Sequence, residues 1–209
     1  MLDDRTDPIL AIAGLGNPGN GHQGDRHNAG FWFLDRLAHR LGGGLQFEAR
    51  FSGEVGRVRL NDASSLWLLK PATFMNRSGE AVAALCNYYR VAAAQVLVVH
   101  DELDLMPGTT RLKFGGSSAG HNGLKDVSQR LGGAAYWRLR LGIGHPRSLE
   151  LPLDVSHFVL QCPSAAHRSL IEEEIERAVD ILPMLASGRF REAMRVLHQR
   201  RPAQDSNTL

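Results

Sequence analysis

The sequence predicts an α/β fold: a single domain on a twisted, mixed and largely parallel sheet flanked by helices. Three observations support this. Short apolar runs alternate along the chain with stretches whose apolar residues recur at helical spacing. One run, Val96-Leu97-Val98-Val99 ahead of His100, is apolar without alternation, as in a strand covered on both faces. The 209 residues, 43% hydrophobic and 22% charged, suffice for one core and match ordinary globular composition.

Each element has its own local reason. Ile9-Leu10-Ala11-Ile12-Ala13, bounded by Pro8 and Gly14, reads as a buried first strand. After Asn28, a natural N-cap, Leu34, Leu37, Ala38 and Leu41 form a helical stripe that ends in Gly42-Gly43-Gly44. Glu54-Val55-Gly56-Arg57-Val58-Arg59-Leu60 and Leu66-Trp67-Leu68-Leu69 read as strands around an Asn61-Asp62 turn. Ser78 is placed to cap a helix through Ala81, Val82, Leu85 and Tyr89. Arg111-Leu112-Lys113-Phe114 and Trp137-Arg138-Leu139-Arg140-Leu141 alternate as half-exposed strands do. Between them Leu124, Val127 and Leu131 mark a helix for Asn122 to cap. Ile171, Ile175, Ala178, Val179 and Leu182 line one closing helix, and Phe190, Ala193, Met194 and Leu197 line another. The domain is expected over residues 1–200, with a disordered polar tail at 201–209.

Composition narrows the function classes. Cys86 and Cys162 are far apart and lack a C-x-x-C partner, which indicates neither a disulfide framework nor a zinc site. No apolar run reaches the length of a membrane span, and the first residues are acidic rather than signal-like, so a cytoplasmic protein without membrane contact is expected. With a net charge of +2, a nucleic-acid site has to be local.

The chemistry gathers beyond strand ends. Gly14-Leu15-Gly16-Asn17-Pro18-Gly19 follows the first strand and matches G-x-G-x-x-G. A dinucleotide site requires a helix to open at once, whereas Gly21 and Gly24 prolong a loop, and the acidic ribose ligand is missing. His27 lies at the mouth of the next helix, where the positive dipole end disfavours a cation and favours a proton-accepting imidazole. Asp101, just past the apolar Val96-Val99 run, suits two roles equally: the orienting partner of a histidine, or the cap of a turn. Asn17, Asn28, Asn76 and Asn122 stand in glycine- or serine-bearing turns and offer uncharged donors and acceptors, as an amide or ester substrate requires.

Two rival hydrolase patterns are weaker. Gly116-Ser117-Ser118-Ala119-Gly120 matches G-x-S-x-G, with Asp154 and His157 following in order, but the strand before it is amphipathic and Gly120-His121 delays the helix. His27, Asp101 and His121 are metal-ligating types without the tight spacing of a motif such as H-E-x-x-H.

Six ordered stretches resemble bacterial peptidyl-tRNA hydrolase: the glycine turn at 14–19, Arg26-His27-Asn28-Ala29-Gly30-Phe31, Lys70-Pro71-Ala72-Thr73-Phe74-Met75-Asn76-Arg77-Ser78-Gly79, Val99-His100-Asp101-Glu102-Leu103-Asp104, Gly120-His121-Asn122-Gly123-Leu124-Lys125-Asp126, and Arg138-Leu139-Arg140-Leu141-Gly142-Ile143-Gly144-His145-Pro146. The resemblance implies a monomeric enzyme, without cofactor or metal, that hydrolyses the ester between peptide and tRNA and releases tRNA for reuse. Carried onto these positions, it implies His27 as catalytic base, Asp101 as its orienting acid and Asn17 as the residue separating blocked from free aminoacyl groups. It implies Phe74, Asn76 and Asn122 as pocket residues, and Arg111, Lys113 and Arg140 as phosphate-binding residues. His22 and Asp25 stand where the family commonly has Tyr and Thr. His22 can still stack on substrate and donate a hydrogen bond, and Asp25 adds a carboxylate that raises the pKa of a nearby histidine. The rival from another class is a non-catalytic RNA-binding protein, since the fold also resembles a plant chloroplast intron-splicing factor.

Overall fold

In chain order the computed structural model contains β1 (Ala11–Gly14), α1 (Ala29–Arg40), β2 (Gln46–Glu48), β3 (Gly53–Arg59), β4 (Ser65–Pro71), α2 (Ser78–Tyr89), β5 (Val96–Glu102), β6 (Thr110–Phe114), α3 (Asn122–Arg130), β7 (Trp137–Gly142), α4 (Val155–Val159), α5 (Ala165–Asp180), α6 (Leu182–Leu185) and α7 (Phe190–His198). The structure describes residues 7–60 and 65–199. The expected Asn61-Asp62 turn and the polar tail at 201–209 lie outside them. Among the described residues no helix is long and apolar enough to cross a membrane.

The strands form one seven-stranded sheet in the order β2-β3-β4-β1-β5-β7-β6. β4, β1, β5 and β7 run parallel, β3 and β6 run against them, and β2 reverses again beside β3. This is the mixed, largely parallel sheet the sequence predicts. β1 lies between β4 and β5, so the chain leaves β1 at the point where strand order reverses. Crevices form at the carboxyl ends of strands at such a point.

Side-chain alternation divides the core between the two faces. Leu97 and Val99 of β5 pack with Leu34 and Leu37 of α1 and Ile171 and Ile175 of α5. Val96 and Val98 pack on the other face with Val82 and Leu85 of α2 and Leu124 and Val127 of α3. That double coverage is why β5 is apolar without alternation, and each such side chain contributes roughly 1.5–3 kcal/mol by leaving water. Close backbone approach seats α1 on the sheet. A Cβ on Gly14 would meet the Gly30 carbonyl, and one on Gly30 would meet the backbone of Leu15 and Val99.

The helix starts differ from the caps expected. Asn28 precedes α1 but makes no capping hydrogen bond, because its side chain is engaged with Asn17. Ser78 is the first residue of α2, and its hydroxyl donates back to the Met75 carbonyl. The Gly79 N–H is instead accepted by the carboxylate of Asp126 on α3, at 2.7 Å. His121, rather than Asn122, caps α3, accepting the Leu124 N–H on Nδ1. β2, α4 and α6 were not expected, and Leu182 opens α6 instead of continuing the stripe of α5, which ends at Asp180. Each of the three is five residues or shorter and carries too little periodicity to read.

Candidate active site

Two neighbouring strand ends bring His27 and Asp101 together. Gly14 and Val99 are register partners in the parallel β1–β5 pair, so the loop after β1 begins beside the end of β5. The single-turn 3₁₀ segment Arg26–Asn28 then returns the chain to that end just before α1. Buried Arg26 anchors this turn. Its guanidinium donates to the Phe158 and Gln161 carbonyls at 3.1 and 2.9 Å and lies 4.0 Å from the Phe158 ring centre.

Asp101 is the centre of the cluster. Its Oδ1 lies 2.8 Å from His27 Nδ1 and 3.0 Å from His121 Nε2. The capping bond makes His121 Nδ1 an acceptor, so its proton is on Nε2 and points at Asp101. His27 likewise donates from Nδ1 to the carboxylate, which leaves Nε2 as the proton-accepting nitrogen. Burial alone would raise the Asp101 pKa, but the two facing imidazoles outweigh it and hold the carboxyl well below the usual carboxylate range. For His27, burial lowers the pKa, while the charge and hydrogen bond of Asp101 and the charge of Asp25 raise it, and the net shift is upward. This direction is opposite to the neutralising influence that the sequence suggests from the helix dipole, and its causes are the carboxylates of Asp101 and Asp25. Beneath them, His100 donates from Nδ1 to the Asp101 carbonyl at 2.6 Å. Burial, followed by the nearby His121, pushes its pKa down to about 3.

A second network fixes Asn17. Asn28 accepts the Asn17 N–H at 2.8 Å and donates to its carbonyl at 2.9 Å. Asn17 Oδ1 accepts the Met75 N–H at 2.8 Å, so the side-chain nitrogen is the end left to act as a donor. This bond also ties the segment carrying Phe74 and Asn76 to the loop beside His27. Both residues are exposed, Phe74 at 61%.

A cavity of about 500 Å³ opens on the cluster, lined by His27, His100, Asp101, His121, Asn122 and residues of the segment 145–159. Of the expected pocket residues, Asn122 lines it, whereas His22, Phe74 and Asn76 do not. His22 Nδ1 instead lies 2.7 Å from Asp25 Oδ2 in the loop before the turn. Ser118 also lines this cavity, but it lies in a loop between β6 and α3, and among the described residues no histidine is bonded to its hydroxyl. The elbow that a serine esterase needs is not formed.

His27, Asp101 and His121 each present a ligand atom within 4.8 Å of the others, a donor set chemically able to hold a transition metal. Both imidazoles, however, converge on the same carboxylate oxygen, and the second nitrogen of His121 is bonded to the backbone. That arrangement suits two hydrogen bonds better than a coordination centre.

The basic residues line one face of the β6–β7 pair, with Arg111 opposite Arg140 and Lys113 opposite Arg138. Arg140 is paired with Glu102 at 2.8 Å, and Arg138 donates to the Ser117 and Gly115 carbonyls. Among the described residues Arg111 and Lys113 have no carboxylate partner, which leaves their charge available to an anion. Sequence reasoning missed His121 as a partner of Asp101, and Asn28 as the clamp on Asn17. The one available signal was a histidine at a helix cap position after a glycine-rich loop.

Comparison with known proteins agrees with this architecture. Residues 11–205 match the family model described as peptidyl-tRNA hydrolase. The chain is 50% identical over 192 residues to a peptidyl-tRNA hydrolase of Polynucleobacter asymbioticus, covering 90% of this chain and 97% of the relative. It is 50% identical over 192 residues to that of Neisseria gonorrhoeae, covering 92% and 98%. A crystal structure of peptidyl-tRNA hydrolase from Acinetobacter baumannii superposes with a TM-score of 0.87 at 41% identity, covering 93% of this chain and 97% of that one.

Proposed function

The chain belongs to the peptidyl-tRNA hydrolase family, and from that premise we propose that it hydrolyses the ester joining a peptide, or an N-blocked aminoacyl group, to tRNA. His27 Nε2 takes a proton from water as the water attacks the ester carbonyl, and returns it to the departing ribose oxygen. Asp101 orients the ring and stabilises the imidazolium that forms, the role a buried carboxylate has beside a histidine base. The observation that carries this reading is the 2.8 Å contact between His27 Nδ1 and the buried carboxylate of Asp101, with His27 itself in the cavity wall.

The remaining roles follow from the same geometry. The free amide nitrogen of Asn17 donates to the peptide beside the ester, and Asn122 lines the cavity, while Phe74 and Asn76, outside the cavity wall, are carried on the segment that Met75 ties to Asn17. His121 holds Asp101 from a second side. Arg111 and Lys113, with Arg140 tied to Glu102 at the cavity rim, take a backbone phosphate of tRNA. His22 reaches the substrate only if its contact with Asp25 opens. We propose a monomer acting in the cytoplasm without a metal or other cofactor.

Single-turnover hydrolysis of N-acetyl-aminoacyl-tRNA and of free aminoacyl-tRNA tests the reading. Release of tRNA from the blocked substrate in excess over the free one is expected. Binding of both without release would instead favour a non-catalytic RNA-binding protein.

A further inference from the structure

A second cavity, of about 520 Å³, has Asn17 in its wall. That volume is within the usual range of ligand sites. Its walls come from the loop after β1 and from β3, β4, α1 and α5: Asn17, Trp32, Asp35, Glu54, Lys70 and Arg168 are among them. His27 is in the wall of the first, and Asn28, the next residue, is in the wall of the second. The first lies toward β5 and β7, next to the Arg111 and Lys113 face, and the second lies toward β1, β4 and β3.

A substrate with its tRNA on the β6–β7 face and its ester at His27 therefore continues, on the acyl side, across Asn17. We propose that this second cavity binds the peptide upstream of the esterified residue. The assignment rests on the hydrolase reading above and deepens it.

The chemistry of the walls suits a peptide. Lys70 is neutralised by Asp35 at 2.7 Å, and Arg168 is paired with Glu172 at 2.6 Å while its guanidinium lies 3.5 Å from the Trp32 ring centre. Stacked this way, Arg168 holds a fixed plane of donors for main-chain carbonyls. Glu54, the register partner of Lys70, has no ion pair among the described residues. The uncompensated charge of the cavity is thus one carboxylate, an acceptor for main-chain N–H groups or for the α-ammonium of a short peptide. A nucleotide is disfavoured there, because its phosphate would face Glu54 while both cations are already paired.

The test compares one tRNA carrying either N-acetyl-aminoacyl or tetrapeptidyl groups, with wild type, Glu54→Gln and Arg168→Ala. The wild type should show a lower KM for the tetrapeptidyl substrate. Each variant should raise that KM roughly three- to tenfold, the loss of one or two hydrogen bonds, and leave the short substrate as the internal reference. The ratio of the two KM values does not depend on the folded fraction, so a destabilised variant still reports. An unchanged ratio overturns the proposal, as does an equal rise on both substrates, which would assign the cavity to the shared tRNA end. Failure of the wild type to hydrolyse even the short substrate would instead overturn the hydrolase reading.

Discussion

Asn28 holds the backbone of Asn17 on both sides of its Cα, accepting the N–H at 2.8 Å and donating to the carbonyl at 2.9 Å. Both residues are buried, and the residue before Asn28 is the candidate base. The loop after β1 and the start of α1 are thereby fixed to each other at the site, which gives Asn28 a positioning role. Asn28→Ala should lose both bonds, cost about 1–3 kcal/mol in urea unfolding, and lower kcat more than it raises KM. Asn28→Asp keeps the acceptor but sets a carboxylate against the Asn17 carbonyl, and should be no better. Wild-type kcat in a folded Asn28→Ala protein would remove this role.

His27→Ala should slow the chemical step by about 10²–10⁴-fold with the fold intact, the range of general-base catalysis. Asp101→Asn should slow it comparably or less, because the ring keeps a partner but the imidazolium loses its counter-charge. Single-turnover rates with saturating enzyme, alongside thermal unfolding, separate these effects from loss of folded protein.

The raised pKa of His27 sets the acid limb of the pH profile. The base works only when neutral, so kcat/KM should fall on acidification at a pH above the ordinary 6.5 of histidine. Asp25 contributes to that shift through its negative charge, which favours the imidazolium. Asp25→Asn should therefore move the acid limb to lower pH while retaining a partner for His22. An acid limb that stays in place would show that Asp101 alone sets it.

Stability should respond to His100. Its folded pKa is pushed down to about 3 from an ordinary 6.5, so below pH 6.5 the unfolded chain binds a proton that the folded one does not. Stability then falls as pH drops from 6.5 toward 3 and is unaffected by this group above that window. His100→Asn, which keeps a donor near Nδ1 but does not titrate, should flatten the slope of unfolding free energy across that range. A slope identical to wild type would mean that other groups dominate.

Lys113→Ala and Arg111→Ala should weaken tRNA binding and chiefly raise KM. The salt dependence of KM should become shallower by about one phosphate contact for each. A minimal substrate without the tRNA body should be insensitive to either change. Equal losses on both substrates would place these residues outside a phosphate clamp.

Sequence alone determined the order and type of most elements, because strand alternation, helical spacing and turn chemistry act over a few neighbouring residues. It also singled out His27, Asp101 and Asn17, since each stands just past a legible strand end or at a helix mouth. The pairings that make a site of them were decided only by tertiary structure. His27 meets Asp101 across 74 positions, Asn28 turns from an expected cap to a partner 11 positions away, and His121 rather than Asn122 caps α3 and reaches Asp101. A polar side chain near a helix start has several partners of similar energy within reach, and local pattern does not choose among them. The choice is made by strand order: β1 beside β5, and the Gly14–Gly30 contact that seats α1, carry these residues to one point, where burial makes an unpaired polar group costly.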